Sequence, residues 1–278
     1  MRKKLLNECI VLAKKNKNGC YLAKNRDRTY SPTTQLVHGN YPYLEYVVLS
    51  DTDTGYFEGV NATTGIAALN SALLNGVDFG KAKSPEGYRM LKSLLYSSTI
   101  EEMVEKITKE NKVFGCTVIT DGTDICVVES DKNNCKHKIY TNPEEYVVRA
   151  NHGKLLRKAG YDPSEADDYL SSKTREAVGE IIVHNSDSID DVMSNFLYPF
   201  FDNMGAMNPT RSTDYMSTTC QLGIDMENKR FLITDIPGKQ KFLGIKKIGP
   251  WKSKPTWKIE TVDYKTPLRP SFKFWGTR

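Results

Sequence analysis

Residues 9–28, CIVLAKKNKNGCYLAKNRDR, constrain the fold of this chain more than any other stretch. Two apolar runs flank KNKNG, and Asn18-Gly19 is a dipeptide that accepts the positive φ angles of a tight hairpin turn. The stretch predicts a β-hairpin with Cys9 at its outer start and Asp27 near its far end. The ends of a hairpin meet, so Cys9, Lys24 and Asp27 are expected in one neighbourhood despite their separation in the chain.

The rest of the chain continues in the same manner. LEYVVLS and GYFEGVN read as a strand pair across DTDTG, and TTGIAALNSALL as a strand running into a loop. Helical periodicity follows over 85–98 and 99–111, the second opening on Thr99 with Glu102 three residues on, a capping box. GCTVITDG and DICVVES predict a hairpin around Asp121-Gly122, and HKIYTN and YVVRANH two more short strands. Helices are expected over 171–183 and 188–201, with Ser188 capping the second and Asp190 and Asp191 in its first turn. TTCQLGIDMENKRFLITDIPG reads as a last hairpin turning at Glu227-Asn228, and residues 249–278 as extended, aromatic and proline-containing. Strands, two helices, strands, two helices, strands: this order predicts one α+β domain with antiparallel sheets and segregated helix pairs, and suits two sheets between helix layers.

Composition narrows the function classes. With 278 residues, 39% of them apolar and 26% charged, a soluble globular chain with a sizeable core is expected. The net charge of +5 is spread among acidic residues, and KSKPTWK, the most basic run, reads as a solvated face, so no nucleic-acid partner is expected. No apolar run approaches the roughly 18 residues that span a bilayer. MRKKLLNE starts basic, but CIVLA is too short for a signal core, so a cytoplasmic protein without membrane partners is expected. The six cysteines (Cys9, Cys20, Cys116, Cys126, Cys135, Cys220) contain no C-x-x-C pair and the four histidines are scattered, so neither metal nor disulfide is expected. No G-x-G-x-x-G or G-x-x-x-x-G-K is present, and no cofactor is expected.

The chemistry the residues support centres on Cys9. Were Cys9 the first residue, its own α-amine, with a pKa of about 8, would serve as base for the thiol. Lys24 would favour thiolate and Asp27 would orient the amine. The side-chain amides of Asn70 and Asn151 are suitable donors to an oxyanion. Taken singly, each of these residues also has an ordinary structural explanation: a core thiol, a turn, a loop cap.

Taken together they resemble a family. In order along the chain stand C-x-x-L-A (Cys9 to Ala13), Y-L-A-K-N-R-D (Tyr21 to Asp27), E-G-V-N-A-T-T-G-I-A-A-L-N (Glu58 to Asn70), V-V-R-A-N-H (Val147 to His152), S-S-K-T-R (Ser171 to Arg175) and S-T-T-C-Q-L (Ser217 to Leu222). This series resembles the choloylglycine hydrolase and penicillin V acylase family of cysteine N-terminal-nucleophile hydrolases, with much of the pattern shared by isopenicillin-N acyltransferase relatives. The resemblance runs from residue 9 to about 235. It implies an αββα four-layer sandwich and metal-free cleavage of a linear, non-peptide C–N amide bond in a small N-acyl substrate, through a thioester. It implies Cys9 as nucleophile, Asp27 as the aspartate at its amine, Asn70 as a pocket asparagine, Asn151 as the oxyanion asparagine and Arg175 as the late active-site arginine.

Two departures stand out. The family's R-N-x-D is Lys24-Asn25-Arg26-Asp27 here, and lysine lacks the planar fork of arginine. Arg26 shares the face of Lys24, two residues along. Eight residues precede Cys9, so 1–8 are expected to be a propeptide cut at Glu8-Cys9, leaving 9–278 as the hydrolase domain. The alternative is a catalytically silent relative acting as a binding or structural protein. Loops near 28–45, 121–140 and 200–216 are expected to shape the substrate pocket. Tyr30, Tyr41, Tyr43, Phe200, Phe201 and Tyr215 are candidates for its lining or for the core. Homo-oligomerisation is left open.

Overall fold

Ten paired residues on each side, Asn7 with Arg28 through Asn16 with Gly19, make the first hairpin: β1 is Asn7–Asn16 and β2 is Gly19–Arg28. The computed structural model describes residues 7–17, 19–28, 34–41, 44–51, 56–73, 85–131, 133–156, 166–196, 209, 217–234 and 259–263. Asn18, the pocket candidates Tyr30, Tyr43, Phe200, Phe201 and Tyr215, the side chain of Tyr41, KSKPTWK and residues 1–6 lie outside the described residues.

The other strands are β3 (Thr34–Tyr41), β4 (Leu44–Asp51), β5 (Tyr56–Asn61), β6 (Ile66–Ser71), β7 (Gly115–Thr120), β8 (Ile125–Ser130), β9 (Cys135–Tyr140), β10 (Tyr146–Arg149), β11 (Ser217–Asp225), β12 (Arg230–Thr234) and β13 (Ile259–Asp263). They form a six-stranded antiparallel sheet in the order β10-β1-β2-β11-β12-β13 and a seven-stranded one running β3 to β9 in chain order. The helices are α1 (Pro85–Leu95), α2 (Ile100–Glu105), α3 (Ala166–His184) and α4 (Ile189–Phe196).

Strand alternation sorts the apolar residues into three layers of core. Val11 and Leu22 of the first sheet meet Val47, Leu69, Val118 and Val127 of the second in the central layer. On the far side of the second sheet, Val48, Ile66 and Ile119 pack against Met90, Leu94 and Met103 of α1 and α2. On the far side of the first sheet, Ile10, Leu12 and Tyr21 pack against Val178, Ile182, Val192 and Met193 of α3 and α4. Helices thus pack on the outer face of each sheet, and the result is an αββα four-layer sandwich. None of the described helices is long and apolar enough to cross a membrane.

Local signals act as the sequence suggests. Thr99 Oγ1 accepts from the Glu102 backbone N–H at 3.2 Å, while the Glu102 carboxylate reaches back to the Ser98 N–H at 2.7 Å. Ser188 Oγ and Asp191 make the equivalent box at α4. Three expectations are corrected. The helix expected over 99–111 is α-helical only to Glu105 and widens into π-type turns over Lys106–Glu110, closed by the Asn111 N–H on the Lys106 carbonyl. Helix α3 starts at Ala166, before the expected 171. The stretch assigned to a pocket loop at 28–45 contains the edge strand β3. Its signal was hidden by Gly39, which pairs with Tyr46, and a Cβ there would collide with the Tyr46 ring.

Candidate active site

The register of the hairpin decides what surrounds Cys9. Cys9 is opposite Arg26, Glu8 opposite Asp27 and Val11 opposite Lys24. Residues directly opposite share a face. Cys9, Lys24, Arg26 and Arg28 therefore lie on the face that carries Val11 and Leu22 between the sheets. Glu8 and Asp27 lie on the face that carries Ile10 and Ala23 toward α3 and α4.

Cys9 is 3% exposed and each part of it is held. Its backbone N–H donates to Asn151 Oδ1 at 3.3 Å. Its carbonyl accepts from Arg175 Nη1 at 3.0 Å. Its Sγ accepts from Arg28 Nη1 at 3.5 Å. Arg175, from α3 and fully buried, also donates from Nη2 to Asn151 Oδ1 at 2.9 Å and to Glu8 Oε2 at 2.7 Å. Asn151 follows β10 and is fixed from both ends: its N–H is bonded to Ser172 Oγ at 2.8 Å, and its Nδ2 donates to the Ala72 carbonyl and to Ser71 Oγ. Both partners of Asn151 Oδ1 are donors and Ala72 O is an acceptor, so the orientation of this amide follows from its network. The amide thus presents its oxygen to Cys9, where an oxyanion donor would present Nδ2.

Asp27 stands across from Glu8, with Oδ1 accepting from Thr218 Oγ1 at 2.7 Å. The β11 register slips between Thr218 and Cys220 at this point, and Thr219 Oγ1 donates to the Arg26 carbonyl. A bulge of this kind re-aims side chains at the rim of a sheet.

Lys24 and Asn70 meet at Glu58. Lys24 Nζ donates to Glu58 Oε2 at 2.5 Å and to the Asn70 carbonyl. Glu58 also takes Arg26 Nε at 3.1 Å and the Asn70 N–H at 3.3 Å, so one carboxylate of the seven-stranded sheet ties down two cations from β2. Asn70 Nδ2 donates to Thr117 Oγ1 at 2.8 Å and to the Phe114 carbonyl. The next residue, Gly115, has φ +107, and a Cβ there would strike the Ser71 carbonyl. Lys24 thus shares the face of Cys9 one pair further along the hairpin, with its ammonium on the Glu58 carboxylate of the other sheet, while Arg28 donates to the sulfur.

The structure therefore brings Cys9, Asn151 and Arg175 into direct contact, places Asp27 one register step away, and groups Lys24 with Asn70. Sequence reasoning missed Arg28, Glu8 and Glu58. Arg28 was detectable, since alternation from Lys24 through Arg26 puts it on the Cys9 face at the hairpin mouth. Glu58 was signalled as the one charged residue within the strand YFEGVN.

Burial pushes the Cys20 and Cys116 thiols up, and that of Cys126 to about 12. His152, bonded to Ser172 Oγ at 2.9 Å, is held down at about 4 by burial and by the Lys154 and Lys173 charges, so it is neutral at pH 7. Among the described residues no group of three or more His, Cys, Asp and Glu is gathered as a metal site would require.

The two-sheet sandwich thus carries a buried cysteine near the start of its first strand. No family model matches the chain, and no curated protein does. Among solved structures the chain is similar to a mutant of conjugated bile acid hydrolase from Clostridium perfringens, with 16% identity over 92% of each chain and a TM-score of 0.49. It is likewise similar to a second variant of that hydrolase, with 16% identity over 96% of this chain and 99% of the other and a TM-score of 0.45.

Proposed function

We propose that this chain is a cysteine amidohydrolase of the N-terminal-nucleophile type, silent until the bond between Glu8 and Cys9 is cut. The observation that carries the reading is the convergence of Asn151 Oδ1 and Arg175 on the backbone nitrogen and carbonyl of Cys9 itself. An ordinary nucleophilic cysteine needs its sulfur positioned. A cysteine that uses its own amine as base needs its nitrogen positioned as well, and this site holds the nitrogen. While Glu8 is attached, that nitrogen is a peptide amide and cannot take a proton.

Once freed, the amine keeps Asn151 Oδ1 as acceptor and receives the thiol proton as Cys9 Sγ attacks the carbonyl carbon of an N-acyl amide. Collapse of the tetrahedral adduct expels the amine product and leaves a thioester. Water resolves it in hydrolysis, and a second amine resolves it in acyl transfer. The resemblance of the motifs supports small, linear N-acyl amides as the substrate class.

The test follows the N-terminal sequence and intact mass of the purified full chain over time, with Cys9→Ala as control. Matured protein is then assayed against penicillin V, glycine-conjugated bile acids and simple N-acyl amides. The expected result is a species beginning at Cys9 that hydrolyses at least one of them. Wild type that stays uncut and hydrolyses none of them overturns the reading in favour of a catalytically silent binding protein.

A further inference from the structure

The geometry points to Arg28 as a catalytic residue of self-cleavage: one guanidinium nitrogen touches both atoms between which the reaction's negative charge moves. Arg28 Nη1 lies 3.5 Å from Cys9 Sγ, the attacking atom, and 3.5 Å from the Glu8 carbonyl oxygen, where charge would develop. The same nitrogen donates to the Asp27 carbonyl at 2.9 Å, which aims the side chain back along the hairpin mouth. Arg28 is 3% exposed, so its charge is weakly screened, and a guanidinium keeps its protons at any working pH. Lys24 is opposite Val11 and donates to Glu58 and to the Asn70 carbonyl.

This inference rests on the amidohydrolase reading and adds a step to it. Cys9 Sγ bonds to the Glu8 carbonyl carbon, and the carbonyl π pair moves onto oxygen, where the Arg28 N–H meets it. The oxyanion collapses, the Glu8 C–Cys9 N bond breaks, and the thiol proton ends on nitrogen. A thioester and a free amine result. Water then adds its hydroxyl to the Glu8 carbon and its proton to sulfur, releasing the prefix as a carboxylic acid and Cys9 with thiol and amine both free.

The experiment compares wild type, Arg28→Ala, Arg28→Gln and Arg28→Lys as full-length protein, scoring variants whose melting midpoint matches wild type. Two readouts are taken: the rate of cleavage before Cys9, and the rate of Cys9 alkylation by iodoacetamide at pH 7 in the uncut chain, located by peptide mass. Loss of one such donor costs roughly a hundred- to a thousand-fold. Arg28→Ala and Arg28→Gln are expected to cleave that much more slowly and to alkylate more slowly, with Arg28→Lys in between on both. Wild-type cleavage rates in Arg28→Ala or Arg28→Gln overturn the assignment. If wild type itself does not cleave, the amidohydrolase reading fails, and alkylation decides Arg28 alone: rates equal to wild type overturn it, slower rates uphold its contact with the sulfur.

Discussion

Arg175 straddles the bond between Glu8 and Cys9: Nη2 holds the Glu8 carboxylate at 2.7 Å and Nη1 holds the Cys9 carbonyl at 3.0 Å. The last prefix residue and the first residue of the proposed mature chain are thus gripped by one buried cation. Attraction between two charges this deep is large, but so is the cost of burying them, and the pair fixes geometry more securely than it adds stability.

The first prediction follows from that grip. In a Cys9→Ala background, where the prefix stays attached, Arg175→Leu removes the cation at a buried carboxylate. Urea denaturation should show a loss of about 3–5 kcal/mol. In matured protein Glu8 is gone, and the same substitution should cost clearly less. Equal costs in the two forms would show that the Glu8 contact contributes nothing to the fold.

Cys9 and Cys20 separate by environment. Both are buried, but Cys20 lies at the turn end of the hairpin, where burial pushes its thiol up, and the cluster of Arg28, Arg175 and Asn151 surrounds Cys9 alone. Cys9→Ala should abolish both prefix removal and amide hydrolysis. Cys20→Ala should keep both, with a stability loss of about 1 kcal/mol. An inactive Cys20→Ala that still folds would reverse the assignment.

How much of this was legible in the sequence differs by element. The hairpin, the Thr99 capping box, the Ser188 cap and the helix pairs follow from local rules, since turn residues, caps and periodicity act over a few positions. The convergence of Asn151 and Arg175 on Cys9 does not: their separations of 142 and 166 residues are closed only by β10 pairing with β1 and by α3 packing on Ile10. Those two residues came from resemblance. The hairpin reading placed Lys24 on the Cys9 face, and the register sets it diagonal to Cys9, because Cys9 itself pairs with Arg26. A count of residues between a cysteine and a cation cannot show which of three alternating cations ends at the sulfur. Only the register can.

His152 supplies a pH dependence. Its folded pKa is about 4, below its ordinary 6.5, because burial and the neighbouring lysines oppose its charge. The unfolded chain therefore binds a proton between those values that the native chain refuses, and stability falls as pH drops through that window. Denaturation midpoints measured from pH 7 to pH 4 should decline less steeply in His152→Gln than in wild type. Identical slopes would show that His152 takes up its proton without unfolding.

Asn151 is the test of how the nitrogen is held. Its Oδ1 faces the Cys9 nitrogen and Arg175, and its Nδ2 is engaged by Ala72 and Ser71. In protein already cut before Cys9, Asn151→Ala should fold and lose roughly a hundred-fold in kcat, comparable to the loss of one well-placed catalytic hydrogen bond. A change confined to KM would assign Asn151 to substrate binding.

The last prediction concerns Glu58, which sits on β5 and anchors both Lys24 and Arg26 of β2. All three side chains are fully buried. Removing this carboxylate takes the shared anion from two buried cations, whereas Lys24→Met removes one cation and leaves Arg26 on the carboxylate. Glu58→Ala should therefore cost more than Lys24→Met, with about 3–5 kcal/mol for the former in denaturant titration. The cluster also ties β2 to the strand that carries Asn70. Loosening it should slow prefix removal through the position of the hairpin mouth, without affecting the sulfur directly. Cys9 alkylation in folded Glu58→Ala is thus expected to stay near the wild-type rate while cleavage before Cys9 slows. If alkylation falls as steeply as in Arg28→Ala, Glu58 acts on the sulfur itself.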